Sequence, residues 1–217
     1  MIYFIIMTLI NKLFNLVLIL SSKHNIDESH GIMHSMNILH YTNILYESEL
    51  YSCPNIRNQE KMIYVTAILH DMCDKKYMNE TEGINVICNF LEDKTFLNKE
   101  EIEMSKKIIT TMSYSKVKKD GFPNLGHFQK AYHIVREADL LTGYDFDRAI
   151  IYHMKNNGDN YLQAFNSASR LFNNRVFKHN EDNLFLLDYS KMESNRLHQI
   201  ALQRINIHKK ILNKLIF

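Results

Sequence analysis

A chain of 217 residues with 46% apolar content is long enough for one domain with a substantial core. Twenty-six basic residues nearly balance 24 acidic ones, for a formal charge of +2, which excludes a strong basic field of the kind that grips a nucleic-acid duplex. With only 6 Gly, 2 Pro and no Trp, the chain has few breakers and reads as helices joined by short loops.

Residues 1–20, MIYFIIMTLINKLFNLVLIL, are largely apolar. No positive charge precedes the run and no small-residue cleavage site follows it, so a secretory signal is not expected. Asn11, Lys12 and Asn15 interrupt its middle, and a central lysine is costly in lipid. Ile5, Leu9, Leu13, Leu16 and Leu20 fall on one helical face, with Thr8, Asn11, Lys12 and Asn15 opposite. A packed first helix and no membrane partner are expected; the competing reading is an anchor lying on a membrane surface, because the stripe is wide. A second helix is expected from Asp27 or Ser29, either of which can cap it, to about Glu49. Ser52 to Asn58 reads as a loop around Pro54, and a third helix as running from about Gln59 to Asp74. Further helices are expected at about Thr81 to Leu91 and Asn98 to Met112, the latter capped by Asn98 with Glu100 and Glu101 in its first turn. Ser113 to Gly126 is polar, carries Gly121, Pro123 and Gly126, and reads as the longest loop. Helices resume at about His127 to Thr142, Asp147 to Asn156 and Asn160 to Phe172; after a break at Asn180 to Asp182, a last one spans about Ser190 to Leu215. Nothing alternates like a strand and no repeat appears, so the expected class is all-α. One domain is expected over 1–217, with a chemistry-bearing core over 27–142 and C-terminal helices over 143–217. Cys53, Cys73 and Cys88 are odd in number and include no CxxC pair, which fits inert free thiols in a reduced, cytoplasmic setting.

His70-Asp71 follows the apolar stretch Val65 to Leu69, where ionisable groups are rarely placed without a partner. On a continuous helix Ala67, His70, Asp71 and Asp74 share one side, so an imidazole and two carboxylates project together from a core element. His34 lies on the stripe His34, Ile38, Tyr41, Leu45, and Asp139 sits among Ile134, Val135, Ala138 and Leu141. Alone, such a histidine is more often a satisfied core residue, and a His-Asp pair more often a surface feature. Together, three costly placements on three helices have one explanation if His34, His70, Asp71 and Asp139 converge on a divalent cation. Mixed nitrogen and oxygen ligands suit Mn²⁺, Fe²⁺ or Ni²⁺, with Mg²⁺ also admissible.

This ordered pattern resembles the HD superfamily of metal-dependent phosphohydrolases, and most closely its small bacterial and fungal members that include nucleoside triphosphate pyrophosphohydrolases. The matching residues are Asp27, His30 and His34 in DESHGIMH, Leu69 to Tyr77 in LHDMCDKKY, Ile108 to Ser115 in IITTMSYS, and Ile134 to Asp139 in IVREAD, with looser matches at Arg175 and at Ala201 and Arg204. The likeness covers about residues 20 to 210. It implies a single HD-type helical bundle with the metal held between helices and hydrolysis of a nucleotide, a nucleoside triphosphate going to monophosphate and pyrophosphate. A nucleotide monophosphatase or alarmone-type hydrolase is the alternative within enzymes, and a non-catalytic metal-binding regulator is the alternative outside them.

The resemblance also assigns roles. Asp74 would orient or deprotonate the attacking water, and Lys76 would meet phosphate oxygens at the catalytic centre. His30, Ser113 and Tyr114 would contact substrate; Lys75, which the family motif does not match, is named only for the cation it offers beside Lys76. The family carries a basic residue directly after the distal aspartate, whereas Leu140, Leu141 and Thr142 follow Asp139 here and Glu137 replaces an aspartate. Arg136 is the nearest substitute for that base. Some relatives bind a second metal through extra histidines, but His127 and His133 lack helical spacing to Asp139, so one metal is expected. The expected partner is a small nucleotide, with no nucleic-acid duplex; a homodimer is compatible with the chain.

Overall fold

The computed structural model describes residues 2–93 and 97–215, apart from the side chains of residues 2–8 and 93. Among the described residues there are ten α-helices, three short 3-10 segments and no strand. The helices are α1 (Ile2–His24), α2 (Ile32–Leu50), α3 (Glu60–Leu69), α4 (Glu80–Asp93), α5 (Lys99–Thr111), α6 (Tyr114–Asp120), α7 (Gln129–Thr142), α8 (Phe146–Asn156), α9 (Tyr161–Asn174) and α10 (Asp188–Leu215). The all-α class expected from the sequence is what the chain adopts.

At the centre, α2, α3 and α7 pack against one another. From Met62 to Leu69 every residue of α3 but Tyr64 is buried, so this stretch is enclosed on all sides and serves as the axis of the core. Helix α1 lies on α2 and α3, with Leu9, Leu13, Val17 and Leu20 buried and Asn11, Lys12 and Asn15 exposed. Leu16 is only half-buried, and Ile5 and Thr8 lie outside the described side chains. Among the described residues no helix is long and apolar enough to cross a membrane. On the other flank α5 packs on α3 and α7, α8 pairs with α9, and α10 crosses α7, α2 and α8.

Several element boundaries differ from the sequence reading. Helix α3 stops at Leu69, not Asp74: Met72 N–H bonds to Leu69 O at 3.0 Å and Asp74 N–H to Asp71 O at 3.2 Å, which tightens the chain into turns. Asp74 Oδ1 then accepts Lys76 N–H at 2.9 Å, a local bond that competes with helix continuation. Helix α2 starts at Ile32 after Gly31, with no side-chain cap. Asp27 spends its carboxylate on Ser29 N–H at 2.8 Å and on the Tyr77 hydroxyl at 2.7 Å instead. The segment read as a loop around Pro54 contains a 3-10 helix, Pro54–Gln59, that buries Ile56 and Gln59. Within Ser113 to Gly126, Ser113 caps α6 and Gly121, at φ 76°, ends it. Two further 3-10 turns, Gly126–Phe128 and Val176–Lys178, precede α7 and follow α9.

Candidate metal centre

His34 comes from the first turns of α2, His70 and Asp71 from the turn that ends α3, and Asp139 from the last turn of α7. The packing of α2, α3 and α7 therefore brings four side chains to one point. The two histidine Nε2 atoms stand 3.3 Å apart. Asp71 approaches them with Oδ2 at 3.1 Å from His34 and Oδ1 at 3.2 Å from His70. Asp139 Oδ1 lies 3.5 Å from His34 Nε2 and 3.6 Å from His70 Nε2. Atoms of His34, His70 and Asp71 all fall within 4.8 Å of one another, a group that could hold a metal ion. The histidines are sealed, at 0% and 4% side-chain exposure, whereas Asp71 and Asp139 keep 15% and 29% and so face open space.

The tautomers follow from the outer bonds. His70 Nδ1 lies 2.8 Å from Ala67 O, an acceptor, so Nδ1 carries the proton. Thr142 gives its hydroxyl proton to Asp139 O at 2.7 Å, so its oxygen accepts from His34 Nδ1 at 3.4 Å. In the neutral form both imidazoles thus direct an Nε2 lone pair toward the point where the two carboxylates meet. Asp71 Oδ2 is buried with no hydrogen bond of acceptable geometry despite its closeness to His34. Four donors with lone pairs converging, one of them orphaned, is a site that fits a divalent cation. The same demand for positive charge shows in titration. Burial alone would depress His70, yet Asp71 and Asp139 push it up to about 9. Burial would likewise raise Asp71 and Asp139, but the neighbouring histidines hold both far below the usual carboxylate range.

Asp71 and Asp139 open into a cavity of about 350 Å³. Asp74, Lys76, His30, Ser113 and Tyr114, each named from the sequence, line it too. Lys76 Nζ sits 3.3 Å from Asp74 Oδ2 and 3.0 Å from His30 Nε2. Burial pulls His30 down to about 4, with Lys76 adding to that against the opposing charge of Asp71. It is therefore neutral, accepting from Lys76 at Nε2 and donating from Nδ1 to Ser29 Oγ at 2.7 Å and to Tyr77 at 3.0 Å. Tyr77 passes its own proton to Asp27, which three hydrogen-bonding neighbours (Ser29, Asn156 and Tyr77) hold at about 2 against the effect of burial.

No protein-family profile, curated protein or solved structure matches this chain.

Two expected substrate contacts are placed elsewhere. Arg136 is 1% exposed and does not line the cavity. Its Nη2 donates to Leu184 O at 2.6 Å and to Glu137 Oε1 at 2.8 Å, and its guanidinium lies 4.7 Å from the Phe122 ring centre. Glu137 accepts from Leu186 and Leu187 N–H at 3.0 Å each, so this pair fastens the strap before α10 to α7. Lys75 lines a separate surface hollow with Lys116 and Lys119. His127 is 67% exposed near Glu100, and His133 bonds to Gln129; neither lines the cavity.

The cavity also recruits residues that the sequence reading missed: Arg148, Tyr152 and His179, besides Arg175, read only as a loose match. Arg148 carried a signal. It lies in the first turn of α8, where a cation opposes the helix dipole and asks for another reason to be there. His179 carried none: it is 2% exposed, neither ring nitrogen has a partner, and burial together with Arg175 pushes it down to about 3.

Proposed function

We propose that this chain is a metal-dependent phosphohydrolase of the HD type that cleaves a nucleoside triphosphate to monophosphate and pyrophosphate. The observation that carries the reading is the convergence of two histidine lone pairs and two carboxylates at one end of a cavity whose walls hold Lys76, Arg148 and Arg175. His34, His70, Asp71 and Asp139 would hold one divalent ion, Mn²⁺ being the best match to the donor set, with Fe²⁺, Ni²⁺ and Mg²⁺ also served. When bound, such an ion supplies Lewis acidity toward water and phosphoryl oxygen.

The protein's own groups do the rest. Asp74 lines the cavity near Asp71 and is the carboxylate outside the ligand set that is placed to take a proton from the attacking water. As water bonds to the α-phosphorus, the bond to the bridging oxygen breaks and pyrophosphate leaves with that electron pair. Lys76 meets phosphate oxygens from a fixed position, because Asp74 and neutral His30 hold its ammonium between them. Arg148 supplies cationic donors in the place of the base missing after Asp139.

The test has two arms. Purified protein should carry about one transition-metal ion per chain, and His70→Ala or Asp139→Ala should strip it. Full occupancy in both variants removes the ligand assignment. Mn²⁺-loaded protein incubated with a nucleotide panel should release pyrophosphate, identified by mass. Orthophosphate instead points to a monophosphatase, and no product from any nucleotide points to a metal-binding regulator.

A further inference from the structure

Arg148 on α8 and Arg175 at the end of α9 line the same cavity as Asp71 and Asp139. Among the described residues neither guanidinium has a carboxylate within 4.0 Å. Asp145 lies nearby in the cavity wall, but its Oδ1 is taken by the N–H groups of Asp147 and Arg148 at 3.1 and 3.2 Å. Lys76 differs, since Asp74 already pairs with it. The two arginines also sense each other. Protein crowding lowers the Arg175 pKa and the Arg148 charge adds to that, while Asp139 opposes.

Both side chains are held in place. Arg148 Nη1 donates to Thr142 Oγ1 at 3.3 Å, which leaves most of its fork unused. The Arg175 guanidinium rests 4.5 Å from the Tyr114 ring centre. That ring is fixed in turn, its hydroxyl donating to Asp182 Oδ2 at 3.1 Å, and the charge of Asp182 is spent on Lys118 at 3.1 Å. Two preset cations without counter-charge, facing one cavity, are an arrangement that costs free energy until an anion fills it.

We propose that Arg148 and Arg175 form a second anion subsite, which holds a phosphoryl group other than the one facing the histidine–aspartate cluster, so that the ligand carries at least two linked phosphoryl groups. The placement of the first phosphoryl group rests on the phosphohydrolase reading; the subsite itself rests on the two unpaired arginines. Planar guanidinium forks suit the tetrahedral oxygens of a phosphoryl dianion.

Calorimetric titration of the full chain with inorganic pyrophosphate and with orthophosphate reads the subsite without turnover. Pyrophosphate should bind roughly tenfold tighter or better, as an added charge-assisted pair predicts. Arg175→Gln and Arg148→Gln should each cost roughly tenfold for pyrophosphate. Arg175→Lys should recover only part of the loss, since it keeps the charge but not the fork. Circular dichroism checks each variant, and if one glutamine variant unfolds the other carries the comparison. Equal affinity for the two anions, or unchanged pyrophosphate binding in the folded glutamine variants, overturns the subsite. Arginine-dependent pyrophosphate binding with no nucleotide cleaved would remove the hydrolase reading and leave the subsite standing. Nucleotide cleavage with arginine-independent pyrophosphate binding would do the reverse.

Discussion

Asp74 and Lys76 sit two residues apart in one turn and are bonded to each other, yet they should fail differently when changed. The work proposed for Asp74 would fall in the transition state, where a proton leaves the attacking water. Asp74→Asn keeps the side chain's shape and its bond to Lys76 N–H while removing the charge. Metal content and substrate affinity should stay nearly unchanged, and turnover should fall about 10²–10⁴-fold. Lys76→Ala should raise KM as well, because a phosphate contact exists before the chemistry starts. Loss of metal in Asp74→Asn would make Asp74 a ligand; unchanged turnover would reduce it to a solvated turn residue. The cluster of His34, His70, Asp71 and Asp139 was legible because each is expensive where it stands: a histidine or aspartate among core aliphatics needs a partner. Arg136 was named on its position alone, as the base nearest Asp139, and its guanidinium is spent instead on its own neighbour Glu137 and a main-chain carbonyl. Burial cost tells that a partner exists, not which one. Arg136→Met should therefore leave metal binding intact and destabilise the fold by about 3–5 kcal/mol, the usual cost of orphaning one half of a buried pair. A loss of substrate affinity at unchanged unfolding midpoint would restore the substrate role.

Helix starts were readable where a full capping box closes the first turn, and were missed at α6, which Ser113 alone caps. Asn98 with Glu101 and Asn160 with Gln163 form full capping boxes, and both helices begin where the sequence places them. Helix ends were less so. Nothing in VTAILHDMCD marks Leu69 as the last helical residue, because the tight turn that follows is set by bonds of Asp74 and by what packs on it. That packing comes from α4. Gly83 lies so close to the turn that a Cβ there would sit 2.6 Å from Cys73 Cβ, 2.8 Å from Cys73 Cα and 2.8 Å from Met78 Sδ. Gly83→Ala gains roughly 1 kcal/mol of helix propensity. The clash outweighs it, since two of the three atoms belong to or adjoin the backbone and cannot swing aside. A net loss of about 1–3 kcal/mol is expected from overpacking, read as a lower thermal midpoint. Because Cys73 lies between Asp71 and Asp74, metal affinity should weaken in parallel. A variant with raised stability and full metal affinity would show that α4 does not support the turn.

The whole molecule stores several histidines in the neutral form, and this sets its response to acid. Burial holds His179 at about 3 and His133 at about 4, with Arg175 and Arg136 respectively as the next contributors. Their folded pKa values lie below the ordinary 6.5 of a histidine. The unfolded chain therefore binds protons first as pH falls. The stability these groups contribute is complete above about 6.5 and is lost as pH drops toward their folded values. Other groups act outside that window. Asp27, held at about 2, loses its contribution only below the ordinary carboxylate value of 3.8. His70, raised to about 9, has the opposite sign: its contribution is full below 6.5 and fades as pH climbs to 9. Between roughly pH 4 and 6, each buried neutral histidine steepens the fall of stability by up to about 1.4 kcal/mol per pH unit. His179 is the one to remove, because its nitrogens bond to nothing and its ring contacts Tyr114, Tyr144 and Phe185. His179→Phe keeps the ring, breaks no hydrogen bond and cannot take a proton. Urea unfolding followed by circular dichroism should give a free energy within about 1.5 kcal/mol of the parent at pH 7.5, as for a shape-conserving core swap. From pH 6 to 4 the variant's curve should be shallower than the parent's by about 1.4 kcal/mol per unit. Parallel curves would mean that His179 finds a partner when protonated, and the acid sensitivity would then have to reside in His133 and His30.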